Sequence, residues 1–288
     1  MRTQSANLAV SLAAPVAAAI TSSATAQVTS VDLGRYHLAG TFNLPPAAAE
    51  ASAITYNWDR QSLFVLGDEG VSLVEVSKTG TLIGMMTLTG FADTEGLAYL
   101  GNGQFAIVEE RLQTVYRLTF TPGGTVARSS LPAVNLGPTI GNDGMEGLAF
   151  DPPTGKFVLA KEKTPMAVSL ATVDFATGAG SLASLFNPGS LGVTDLAEVL
   201  ALSIVPTLQT TPDRDNLLIL SQESKKLLEV SRAGTVLSQF ALPASAAHAE
   251  GVAIDPDRVI YVCDEAPTLL VLTPKPDPGD PKARRPRP

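Results

Sequence analysis

Three glutamates recur in one local pattern: Glu95-Gly96-Leu97-Ala98-Tyr99, Glu146-Gly147-Leu148-Ala149-Phe150 and Glu250-Gly251-Val252-Ala253-Ile254. Five more, Glu69, Glu110, Glu162, Glu223 and Glu265, each close a short apolar run, with Asp68, Asp93, Glu109, Asp143 and Asp264 nearby in sequence. Carboxylates brought together repel one another unless a cation neutralises them. The chain has two histidines and one cysteine, so the donors on offer are hard oxygens. Such a set favours Ca²⁺, which accepts roughly 6–8 oxygen ligands, over Mg²⁺ with its strict octahedron and retained waters. The candidate metal ligands are Glu95, Glu146, Glu250, Glu69, Glu110 and Glu265. A second reading stays open. A repeated glutamate can accept backbone N–H bonds from the next repeat and hold the repeats together.

Other groups offer less chemistry. His248 lies two residues before Glu250 and is a candidate general base. Cys263 sits inside an apolar run and reads as a buried small hydrophobe. Trp58, in a turn, reads as a packing residue. Lys161 and Lys163 flank Glu162 as internal counter-ions. Neither a G-x-S-x-G elbow nor a phosphate-cradling loop occurs.

The elements that would position the glutamates repeat five times. The three motifs above have two weaker copies, Ser52-Ala53-Ile54-Thr55-Tyr56 and Leu200-Ala201-Leu202-Ser203-Ile204. Each copy is followed by a Gly, Pro, Asn or Asp turn, then an apolar run ending in acid, then a third apolar or alternating segment. Fourth strands are expected at Thr81–Leu88 and Thr235–Leu242, and more weakly near Val126–Leu131 and Leu182–Phe186. The fifth unit lacks one. Tyr36–Leu44 precedes the first unit and is expected to pair with Leu269–Leu272 and close the ring. Four short strands repeated every roughly 40–50 residues predict an all-β fold: a five-bladed β-propeller of four-stranded blades, closed by an N-terminal strand. First strands line the channel in this architecture, so both sets of glutamates are expected at one mouth.

The ends read differently. Residues 1–26 have one cation, an Ala-rich apolar stretch and Ala24-Thr25-Ala26, the pattern of a secretory signal peptide cleaved after Ala26. Residues 27–34 read as a linker, 35–274 as the propeller and 275–288 as a Pro-rich disordered tail. The expected location is periplasmic or secreted, with no transmembrane helix in the mature chain. Of 288 residues, 20 are Lys or Arg and 28 are Asp or Glu, a formal net charge of −8. Between the leader and the tail the balance is 14 basic to 26 acidic residues, which excludes a nucleic-acid binder. A single cysteine excludes an internal disulfide and any cysteine-rich metal site.

The Glu-Gly-Leu-Ala motif, the Asp-Pro turns at Asp151 and Asp255, and the acid-ending second strands resemble the SdiA-regulated (YjiK-like) family. The resemblance spans nearly all of residues 35–274 and shares parts with NHL-like repeat propellers. It implies a five-bladed calcium-binding propeller, exported or membrane-associated in bacteria, with no firmly established enzymatic activity. The family's acidic position carries over onto Glu95, Glu146 and Glu250. Blades one and four depart, with Ser52 and Leu200 in that place, and Asp195 or Glu198 is the substitute on offer in blade four. The function expected is that of a non-enzymatic binding or signalling protein of the envelope. It would act as a monomer and take a small molecule or an envelope protein at the channel mouth. The alternative is a calcium-dependent phosphoesterase or lactonase of the phytase-like or esterase-like type. A positioned nucleophile or histidine pair would favour that alternative, and the sequence offers only His248 and His37.

Overall fold

The computed structural model describes residues 31–208 and 212–275. The leader, most of the tail and residues 27–30 of the expected linker lie outside the described residues. All regular elements among those described are strands and short 3-10 turns. No helix among them is long and apolar enough to cross a membrane.

Five antiparallel sheets follow one another around a ring. The first comprises β2 (Ala51–Asn57), β3 (Ser62–Gly67), β4 (Ser72–Val76) and β5 (Leu82–Thr89). The second comprises β6 (Thr94–Gly101), β7 (Gln104–Glu109), β8 (Thr114–Thr119) and β10 (Ala133–Asn135). The third runs through β11 (Met145–Asp151), β12 (Lys156–Lys161), β13 (Ala167–Asp174) and β14 (Ala179–Phe186). The fourth runs through β15 (Glu198–Ala201), β16 (Leu217–Ser221), β17 (Lys226–Val230) and β18 (Val236–Ala241). The fifth has β19 (Ala249–Ile254), β20 (Ile260–Asp264), β21 (Thr268–Pro274) and, as its outer strand, β1 (Tyr36–Asn43). β1 pairs with β21 from Tyr36↔Pro274 to Asn43↔Thr268, so the ring closes as the sequence predicts.

Inner strands are buried on both faces, which is why they read as continuous apolar runs; outer strands alternate. Five hydrophobic clusters fill the five seams between neighbouring blades. One joins Leu218, Leu220 and Leu227 to Val252, Ile260 and Val262, for example, and another joins Phe64 and Leu66 to Leu97 and Phe105. No blade therefore owns its core, and stability belongs to the closed ring.

Three local expectations change. The outer strand of blade two is β10, not the Val126–Leu131 region. Thr125–Ala127 instead forms β9, which pairs in parallel with β5 of blade one along Thr87–Thr89. It caps part of an edge that already exposes Leu82, Ile83 and Met85. The first strand of blade four begins at Glu198, and Leu202–Ile204 is a 3-10 turn rather than its continuation. The expected linker already packs by Val31 and Leu33, 5% and 0% exposed, in the seam between blades four and five.

Candidate functional site

Each of β2, β6, β11 and β19 carries a bulge at its second residue, where the pairing register skips Ser52, Glu95, Glu146 and Glu250. A bulged residue is released from the ladder, and its side chain can be re-aimed. In β15 the corresponding residue is Ala197, whose N–H reaches the Leu220 carbonyl just before the ladder begins. These five residues all line one polar cavity of about 230 Å³ on the axis. Two residues further along each strand, Ile54, Leu97, Leu148, Val199 and Val252 form an apolar ring beneath it. The residue between, at Gly96, Gly147 and Gly251, cannot carry a side chain without disruption. A Cβ on Gly96 would lie 2.7 Å from the Leu148 Cβ, and one on Gly251 2.7 Å from the Ile54 N. These glycines let neighbouring first strands approach closely enough to form the axial wall.

Second-strand ends supply the outer tier. Asp68, Glu110, Glu162 and Glu265 line the cavity, joined by Asp93 and Asp195 from the loops before β6 and β15. Their partners divide them. Arg111 ion-pairs with Asp93 at 3.0 Å, and its Nε donates to the Asn142 Oδ1 at 2.8 Å. Lys163 bridges Glu162 at 2.7 Å and Glu223 at 2.8 Å. Asp195 is 1% exposed and accepts from the Ser221 hydroxyl and from the backbone N–H groups of Gln222 and Glu223. The buried Glu110 accepts the Gly144 N–H at 2.6 Å, so this glutamate does bond the next blade. The Glu110 and Glu146 carboxyls also interact with each other.

Glu95 and Glu250 face the cavity and make no ion pair among the described residues; Arg111, which also lines it, is paired with Asp93. Burial, then the charges of Glu250 and Asp93, holds Glu95 well above the ordinary glutamate value. Burial, then the charges of Glu95 and Glu110, pushes Glu146 up to about 11. Glu250 rises to about 8, through burial and then Glu265 and Asp195. Glu110 rises to about 7, mainly by burial, with the Gly144 N–H opposing. The inner tier offers only hard oxygens, the carboxyls of Glu95, Glu146 and Glu250 and the Ser52 hydroxyl, and the one cation on the cavity lining among the described residues, Arg111, is taken by Asp93. That donor set fits a hard divalent cation.

Some sequence candidates sit elsewhere. Asp68, and not Glu69, lines the cavity; Glu69 is exposed at the rim, where oxygens of Glu50, Asp68 and Glu69 lie within 4.8 Å of one another. Glu223 is tied to Lys163 outside the cavity. Glu109 is buried and held by Arg128 at 2.9 Å, and Asp264 accepts the His248 and Ala266 N–H groups. His248 is exposed, 3.7 Å from Glu265, and does not line the cavity. Cys263 is fully buried, and Trp58 packs edge-on against Tyr99. Lys161 donates to the Lys163 carbonyl, whereas Lys163 is the counter-ion.

Leu200 does not occupy the motif position of blade four; Ala197 does. Aligning Ala197-Glu198-Val199 with Glu146-Gly147-Leu148 exposes the correct register, and the aliphatic residue two places on is the signal. Of the two proposed substitutes in that blade, Asp195 lines the cavity, whereas Glu198 lies in the apolar ring below it.

The fold is shared with enzymes of low sequence identity. A gluconolactonase from Xanthomonas campestris superposes with a TM-score of 0.53 at 13% identity, covering 85% of this chain and 92% of that one. A luciferin-regenerating enzyme gives a TM-score of 0.50 at 13% identity, covering 81% and 94%. At such identity the likeness speaks for the architecture alone. The SdiA-regulated family model matches residues 29–272, the whole ring with its closing strand, and the chain belongs to that family.

Proposed function

We propose that this chain is an exported calcium-binding propeller that acts as a monomeric binding or signalling protein of the bacterial envelope. A leader at residues 1–26 would direct export. The observation that carries the cation reading is the inner tier: Glu95, Glu146 and Glu250 converge on one axial cavity whose one lining cation among the described residues, Arg111, is paired with Asp93. These three would hold the ion, with Glu110 and Asp195 from the cavity wall and Glu265 nearer the mouth. Glu69 drops to a rim role. The ion would neutralise the cluster and present a Lewis-acidic face toward the opening, where an oxygen-bearing small molecule or an envelope protein would bind. A hydrolase needs a base or nucleophile at that ion. His248 lies off the cavity and His37 is on the outer strand β1, so neither histidine serves the phosphoesterase or lactonase alternative, which would have to take its base from a cavity carboxylate such as Glu110.

Calorimetric titration of chelator-treated protein tests the proposal. Saturable Ca²⁺ binding is expected in the wild type and is expected to vanish in the triple variant Glu95→Gln, Glu146→Gln, Glu250→Gln. Absence of binding in the wild type would return the glutamates to a purely structural role.

A further inference from the structure

Two blades break the glutamate-glycine motif, and each break makes a hydrogen bond to the neighbouring blade beside a cavity glutamate. In blade one the bulge residue is Ser52, 3% exposed, and its hydroxyl donates to the Thr94 carbonyl at 2.8 Å. Thr94 immediately precedes Glu95. In blade four a glutamate, Glu198, stands where three other blades have glycine. It is 1% exposed, and its Oε1 accepts the N–H of Leu148 at 2.9 Å and that of Val199 at 2.8 Å. Leu148 is two residues after Glu146. The room for this carboxylate comes from Gly147, where a Cβ would lie 2.8 Å from the Glu198 Oε1.

A buried carboxylate is an expensive way to hold a seam that aliphatic residues already fill. The surrounding ring of Ile54, Leu97, Leu148, Val199 and Val252 is apolar, so seam packing alone would be served by a small or aliphatic residue. What a hydrogen bond adds is direction. Bulged residues lack a ladder partner, so the orientation of Glu95 and Glu146 depends on what grips the backbone on either side of them. Glu146 is gripped twice from outside its blade, at Gly144 by Glu110 and at Leu148 by Glu198. Glu95 is gripped at Thr94 three times from blade one: Ser52 donates to the Thr94 carbonyl, while the Thr94 N–H and hydroxyl donate to the Asp68 and Gly67 carbonyls at 2.8 and 2.6 Å.

We propose that Ser52 and Glu198 are positioning residues that hold the Glu95 and Glu146 backbone segments so that both carboxylates face the axial cation. Three blades then supply the inner glutamates, and the two that depart from the motif supply the clamps. This rests on the cation reading above. Groups that orient metal ligands typically cost about 10–100-fold in affinity when removed.

The test pairs two measurements on chelator-treated full-length protein: Ca²⁺ titration, and backbone amide exchange at residues 94–96 and 146–148. Ser52→Ala and Glu198→Ala are each expected to weaken Ca²⁺ binding by about tenfold or more and to speed exchange in their own segment. Glu198→Gln keeps an acceptor oxygen and Ser52→Thr keeps the hydroxyl, so both are expected to stay close to wild type. Should Glu198→Ala fail to fold, Ser52→Ala, which loses one hydroxyl, decides. Unchanged affinity in both alanine variants alongside a lower melting temperature would overturn the proposal, leaving the two residues as seam stabilisers. A wild type that binds no Ca²⁺ overturns the cation reading instead. In that event, unchanged exchange in both segments overturns the positioning role, and faster exchange in each variant's own segment supports it.

Discussion

A carboxyl buried among carboxyls prefers to keep its proton, and this gives the inner tier a pH signature. Glu110 and Glu250 are raised from an ordinary value of 4.5 to about 7 and about 8. In the unfolded chain they ionise near the ordinary value. Between those limits the native state binds more protons than the unfolded state, so stability falls as pH rises. The contribution is complete below about pH 4.5 and is lost as pH climbs through 7 and then 8. Melting in the presence of chelator is therefore expected to drop between pH 5.5 and 8.5 more steeply for the wild type than for Glu250→Gln. Parallel curves for the two proteins would show that Glu250 does not bear this strain. Added Ca²⁺ is expected to flatten the wild-type curve, because the cation replaces the protons as the neutralising charge.

The strands that carry these residues were largely legible in the sequence. Apolar runs of inner strands, Asn, Asp and Gly turns, and the missing outer strand of the last blade together specify five sheets and a closing strand. What escaped had physical causes. Blade four hides its register because Glu198 occupies a glycine position and Ala197 a glutamate position, so the apolar pattern matches the motif three residues late, at Leu200. β9 was unreadable as a strand of another blade, since three residues crossing to a neighbouring edge leave no periodicity. Of the site, the inner glutamates could be read from the repeat, and Asp195, two places before Ala197 as Asp93 is before Glu95, is on offer as the blade-four substitute; the clamp at Glu198 has no repeating counterpart. Two changes test the element-level account. A Cβ on Gly147 would lie 2.5 Å from the Val199 N, a backbone atom that cannot easily move. Gly147→Ala is thus expected to destabilise by about 1–3 kcal/mol, while Gly141→Ala, with no atom within 4 Å, leaves chemical denaturation unchanged. Equal midpoints for both would mean the seam has slack. Removing residues 1–44 deletes β1 and withdraws Leu33, Tyr36 and Leu44, which are 0%, 4% and 5% exposed. Each buried side chain of this kind is worth roughly 1.5–3 kcal/mol. The truncated chain is expected to lose cooperative unfolding throughout the ring; a melting curve like that of the full chain would rule out closure by β1.

At the scale of the ring, the axial ion would link elements far apart in sequence. Glu95, Glu146 and Glu250 come from blades two, three and five, so a cation on all three spans most of the circle without belonging to any one seam. The five cores sit between blades, which makes local loosening of one seam a step toward opening the whole. An ion bound only when all three strands are in register opposes every such step. Binding to the native state alone raises stability by about 2.7 kcal/mol at a ligand concentration 100 times Kd. For a ring of this size that corresponds to a rise of roughly 5–10 °C in melting temperature. Ca²⁺ is expected to produce this rise and Mg²⁺ much less, because Mg²⁺ resists losing its waters and demands an octahedron that converging strand bulges have no reason to match. Differential scanning calorimetry with each ion checks it. Equal shifts from both ions would indicate screening of the acidic surface rather than a site. A Ca²⁺ shift that survives replacement of the three inner glutamates would move the ion to the rim, where Glu50, Asp68 and Glu69 are the next oxygens close enough together to hold it.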